Sequence, residues 1–125
     1  MSAFKGQKLL SAKVNYLVIL EFSGKYFITL EGDFTLHAPG KTFQLSPDND
    51  PEEKFEPLRE LVGVDVTECA ADDAGTLTIT FSNEAVIHSD PDGMYEAWNL
   101  AGPRGMKVVS MPSGGLATWS PDPDA

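Results

Sequence analysis

A chain of 125 residues that is 42% hydrophobic and 10% aromatic has the size of one domain and enough apolar side chains for a packed core, which excludes a disordered protein. Its net charge of −10 makes nucleic acid and anionic lipid poor partners, because like charges repel. The single cysteine, Cys69, excludes an internal disulfide and a cysteine-built zinc site.

The N-terminal stretch "MSAFKGQKLLSAKV" carries lysines but no apolar segment of signal-peptide length. The longest apolar run, Tyr16 to Leu20, is strand-sized and too short to span a bilayer. Together with the lone thiol this gives the expectation of a cytoplasmic protein. "NYLVILEF" and "KYFITLEG", joined by "SGK", read as a hairpin with a short glycine-containing turn. Tyr26, Ile28 and Leu30 share one face, and Phe27 and Thr29 the other. Apolar residues on both faces predict a central pair covered on both sides. "DFTLHAPGKTFQL" then supplies two shorter strands about a Pro-Gly turn.

Residues 46–63, "SPDNDPEEKFEPLRELVG", carry the one good helical signal. Asp50 suits an N-cap, Pro51 the first helical position, and Glu53 stands three residues after the cap. Phe55, Leu58, Leu61 and Val62 recur at helical spacing, and Gly63 is placed to end the run. Pro57 breaks the interior, so one kinked helix or two short turns are expected. "VDVTECA", "TLTITFSN" and "EAVIHSD" follow as strands.

Both tryptophans lie in "YEAWNLAGPRGMKVVSMPSGGLATW", residues 95–119. Two Gly/Pro clusters divide it into three short strands, a meander. Alternation places Glu96, Trp98 and Leu100 on one face, and Tyr95, Ala97 and Asn99 on the other. Trp98 and Trp119 read first as core residues, since a domain this small needs their large apolar area. The competing reading is a half-exposed patch of Tyr95 and Trp98, rimmed by Arg104, that anchors a partner.

Tyr95, Trp98, Gly102, Pro103 and Gly105, followed by a valine-bearing strand and then Gly115, Leu116, Ala117 and Trp119, resemble the C-terminal signature of a family of small, mostly actinobacterial proteins of uncharacterised function. The resemblance covers about residues 75 to 119. It implies a shared fold and no activity, because the matching residues are turn formers and bulky apolar groups. Ser113 and Gly114 occupy the last turn differently, and Thr118 stands where an apolar residue is common.

No nucleophile elbow and no phosphate loop is present. Cys69 sits in an apolar strand and reads as an inert thiol. His88, Asp90 and Asp92 could touch one cation, but the remaining ligands of a calcium loop are missing. No catalytic residue, metal or cofactor is therefore assigned, and an enzyme is not expected.

Charge is uneven along the chain. Residues 1–45 hold five lysines against three acids, 5 − 3 = +2, and residues 46–125 hold four basic and sixteen acidic groups, 4 − 16 = −12. Such acidity gives solubility, and it also steers basic partners.

The expectation is a mainly β (α+β) fold: one antiparallel domain over residues 1–120, of eight to ten strands. It is a sandwich or a curved, half-open barrel with one short helix near 51–62, followed by a disordered polar tail over 121–125. The leading functional reading is a non-catalytic protein-binding module, in one form an immunity-type protein masking a basic toxin surface with the acidic segment 46–60. Its candidate residues are Tyr95, Trp98, Arg104, Asp48, Asp50, Glu52, Glu53 and Glu56. The alternatives are a small-ligand pocket lined by Trp98, Tyr95 and Phe81, and a homodimer formed through a sheet edge or an aromatic face.

Overall fold

The computed structural model describes residues 4–120; the expected tail over 121–125 lies outside them. Eleven strands form two antiparallel sheets. In chain order they are β1 (Leu9–Val14), β2 (Val18–Phe22), β3 (Tyr26–Leu30), β4 (Phe34–Ala38), β5 (Lys41–Leu45), β6 (Val66–Ala71), β7 (Leu77–Phe81), β8 (Val86–Ser89), β9 (Trp98–Ala101), β10 (Lys107–Ser110) and β11 (Leu116–Trp119). One sheet has the order β1-β2-β3-β9-β10-β11, the other β5-β4-β8-β7-β6. The sheets pack as a sandwich, and no closed barrel forms. No helix among the described residues is long and apolar enough to cross a membrane.

Period-two alternation sets the core. Val18, Leu20 and Phe22 of β2, Ile28 and Leu30 of β3, and Trp98 and Leu100 of β9 point inward from the first sheet. Phe34 and Leu36 of β4, Leu77, Ile79 and Phe81 of β7, and Ile87 of β8 meet them from the second. The turn between β2 and β3 puts Gly24 and Lys25 at φ 79° and 66°, the left-handed conformation that tight hairpins require.

Two strand expectations change. β1 was not anticipated: "LLSAKV" carries a weak alternation, and its register slips at a bulge between Leu9 and Ser11, which hides the period. The β2–β3 pair is covered on one side only. Ile19 and Phe27 point away from the core and remain 36% and 39% exposed.

The helical segment resolves into two short turns, a 3-10 turn at Glu52–Phe55 and helix α1 at Glu56–Arg59. Pro57 falls in the first turn of α1, where its missing N–H costs nothing. Asp50 does not cap the helix. Its carboxylate accepts from the Ser46 backbone N–H at 2.7 Å instead, a local bond that competes with capping. Phe55, Leu58 and Leu61 pack into the core, while Val62 is exposed.

Candidate functional site: the acidic loop end

An up-and-down chain brings alternate loops to the same end of a sandwich. Here the loops after β1, β3, β5, β6, β8 and β10 meet at one end. They contribute Glu31, Asp33, Asp48, Asp50, Asp72, Asp73, Asp90, Asp92 and Glu96, and the one cation that lines their clefts is Lys54.

Three adjoining clefts open there. The first, of about 540 Å³, is lined by Tyr16, Leu17, Glu31, Asp48, Tyr95, Glu96 and Pro112. The second, of about 260 Å³, shares Tyr95 and adds Asp33, His88, Asp90 and Asp92. The third, about 190 Å³, runs from Asp33 to Asp50 and Lys54. Seven of the nine carboxylates therefore line clefts, facing one lysine, and Lys54 is already paired with Asp50 at 3.2 Å.

The loop between β8 and β9 is a built structure. The Asp92 carboxylate accepts from the Met94 N–H at 2.8 Å. The Ser113 N–H donates to the Asp92 carbonyl at 2.7 Å, and the Ser113 hydroxyl to the Gly93 carbonyl at 2.9 Å. The β10–β11 turn therefore braces the segment that presents Tyr95. Beneath it the Trp98 indole Nε1 donates to the Gly75 carbonyl at 2.9 Å, and the Ser110 hydroxyl donates to the same oxygen at 3.0 Å. Gly75 has φ +98°, and a Cβ there would stand 3.0 Å from the Gly115 carbonyl oxygen. Only glycine allows that approach.

Electrostatics register the crowding. The Asp92 charge beside Tyr95 raises its phenol above the ordinary range, with desolvation and the charges of Asp48 and Asp33 adding to it. Tyr95 is thus kept protonated and able to donate a hydrogen bond. Asp50 is held below the usual carboxylate range, chiefly by the Ser46 N–H and further by Lys54, against a smaller opposing effect of burial.

The structure divides the residues singled out from the sequence. Tyr95, Asp48 and Asp50 belong to this end. Trp98 is fully buried and presents no surface, whereas Trp119, on edge strand β11, is 53% exposed. Of the two tryptophans expected in the core, one is there. Arg104 is exposed but lies past the far end of β9, so it does not rim Tyr95. Glu52, Glu53 and Glu56 are exposed on the helical insert and line none of the three clefts. Arg59 pairs with Glu52 at 2.9 Å and with Glu56 at 3.5 Å.

The sequence does not single out Glu31, Asp33, Glu96 or Tyr16 as site residues, and it offers Asp90 and Asp92 only as cation ligands. Loop parity along the chain was the signal that could have found them. It needed the residues between β5 and β6 to be recognised as crossing from one end to the other, which resets the parity.

Other chemistry is sparse. Burial pushes the Cys69 thiol up to about 12, so it is no nucleophile at neutral pH. His88 Nε2 lies 3.2 Å from Asp90, and His37 Nδ1 lies 3.2 Å from the Thr42 hydroxyl. No three His, Cys, Asp or Glu side chains among the described residues are placed to hold a metal ion. Phe81 and Trp98 are packed in the core, so the pocket that would have put them beside Tyr95 is filled by side chains.

No curated protein and no solved structure matches the chain. The sequence profile of DUF6188, a family of unknown function, matches residues 1–120. The chain belongs to that family.

Proposed function

We propose that this chain is a non-catalytic protein-binding module that takes a basic partner on the loop end built around Tyr95. One observation carries the reading: six loops bring nine carboxylates to a concave end whose clefts hold one cation, Lys54, and that also exposes Tyr16, Met94 and Tyr95. Like charges so gathered repel one another, and a cationic surface relieves that repulsion while being steered toward it. Tyrosine supplies contact area at low entropic cost beside a polar rim. An immunity-type role, masking the basic surface of a toxin, is the finer form of this reading and rests on charge analogy alone. A non-catalytic role is favoured by the buried, unreactive Cys69 and by histidines that face threonine or aspartate rather than a nucleophile in a cleft.

Calorimetric titration with an oligo-arginine peptide tests it. Affinity should be about tenfold or more higher at low ionic strength than at physiological salt, where charges separated by more than about 8 Å are screened. The triple change Asp48→Asn, Asp92→Asn and Glu96→Gln should weaken it by a similar factor. Absence of binding at low salt, or binding indifferent to the triple change, overturns the reading.

A further inference from the structure

The two outward faces of the sandwich differ in chemistry. On the five-stranded sheet the register gives two outward rows, Gln44–Thr35–His88–Thr78–Ala70 and Thr42–His37–Val86–Thr80–Glu68. These are polar, as befits a sheet face in water. On the six-stranded sheet the rows are Ser11–Glu21–Phe27–Ala101–Lys107–Trp119 and Lys13–Ile19–Thr29–Asn99–Val109–Ala117. Ile19, Phe27 and Trp119 are exposed there. Val109 of the second row is already buried within one copy, at 3% exposure.

We propose that this face is the interface of a homodimer, with the two-fold axis parallel to the strands along the seam between β3 and β9. The argument is complementarity across that seam. Rotation about such an axis lays β2 of one copy over β10 of the other, and β3 over β9. The first row then sets Phe27 against Ala101 of the second copy, Glu21 against Lys107, and Trp119 against Ser11. The second row sets exposed Ile19 over the spot where Val109 is already buried, and Thr29 against Asn99. Large meets small, and the one carboxylate meets a lysine, twice by symmetry. Within one copy Glu21 and Lys107 stand three strands apart, about 14 Å at ordinary strand spacing. Neither has an ionic partner among the described residues.

Lys13 falls at the sheet margin, where its stem can cover Ala117 while the ammonium stays in water. Packed sheets cross at about 30°, which displaces groups about 7 Å from the axis by about 4 Å, within the reach of Lys and Glu side chains. Six strands about 4.8 Å apart and about 17 Å long offer about 500 Å² per copy, so about 1,000 Å² in a pair, the lower bound of a specific interface. The dimer is therefore expected to be concentration-dependent. Both acidic ends emerge on the same side of it.

Sedimentation equilibrium of the full chain across a concentration series tests the proposal, with circular dichroism reporting the fold of each variant. The wild type should dimerise. Glu21→Lys and Lys107→Glu should each raise the dissociation constant about tenfold or more, and the double reversal should return it to within about threefold of wild type. Phe27→Arg should leave only monomer. A wild type that stays monomeric at every concentration overturns the proposal. So does a dimer that ignores the single reversals, or one that the double reversal does not restore.

Discussion

The two ends of the sandwich are made by the same strands and have opposite chemistry. Six loops bring nine acids to one end, where Lys54 is the one cation lining the clefts, a charge of 1 − 9 = −8. The loops at the other end, after β2, β4, β7 and β9, carry Lys25, Arg104 and Glu84, a charge of +1. There Lys8 pairs with Asp65 at 2.9 Å, and Phe4 seals the core against Phe22 and Tyr26 with ring centroids 5.3 and 4.6 Å away. A cleft of about 400 Å³ lined by Ala38, Pro39, Lys41, Asn83 and Ala85 also opens at this end, so the two ends differ in charge rather than in the presence of grooves. Folding stability alone does not ask for such segregation, since gathered carboxylates repel. The difference supports the proposal that places recognition at the acidic end.

The largest expected effect comes from removing the support of that end. Trp98→Ala should cost about 3–5 kcal/mol, the usual range for emptying a buried aromatic site, measured by urea unfolding. The same change at exposed Trp119 should cost less than about 0.5 kcal/mol. Equal losses at the two tryptophans would erase the distinction between anchor and surface.

Charge neutralisation comes next. Against the acidic-end triple change, the control Asp65→Asn, Glu68→Gln and Glu84→Gln should leave oligo-arginine affinity within about threefold, because these groups lie outside the clefts and distant exposed charges are screened. Equal effects would reduce the comparison to net charge.

The Tyr95 phenol offers a local gauge. Its pKa is raised by Asp92, so the folded chain holds this proton longer than the unfolded chain does. Its contribution to stability is intact below about pH 10, the unfolded value, and is lost as pH rises through the higher folded value. Absorbance titration, compared with Tyr95→Phe to isolate the signal, should show the pKa falling toward its ordinary value in Asp92→Asn. No movement would mean the carboxylate is not acting on the phenol.

The smallest effect is expected at Ser89. Its hydroxyl is buried without a hydrogen-bond partner among the described residues, so Ser89→Ala should be neutral or stabilising by up to about 1 kcal/mol. A clear loss on thermal unfolding would show a hidden partner for this oxygen.

Much of the fold was legible because strong alternation marks its strands. β2, β3 and β7 read cleanly, and Pro57 announced the broken helix. β1 did not, since a bulge shifts its period. The exposed sides of Ile19 and Phe27 were also hidden: an apolar residue states that it fits a sheet, not which side another layer covers. The site was less legible still. Linear charge density pointed to residues 46–60, yet Glu52 and Glu56 there are spent on Arg59, and the acidic end is assembled from loops between 31 and 96. Trp98 and Tyr95, three residues apart, point into the core and out to solvent. Proximity in sequence suggested one patch, but Tyr95 stands in the loop before β9 while Trp98 is the first inward residue of that strand.

The central claim is that recognition resides in the end around Tyr95. Backbone amide shifts recorded by NMR during titration with the oligo-arginine peptide test it most directly. The account predicts that the largest changes fall on Glu31, Asp48, Asp92, Tyr95 and Glu96. Changes concentrated on Glu52, Glu53 and Glu56, or spread evenly over both ends, would contradict it.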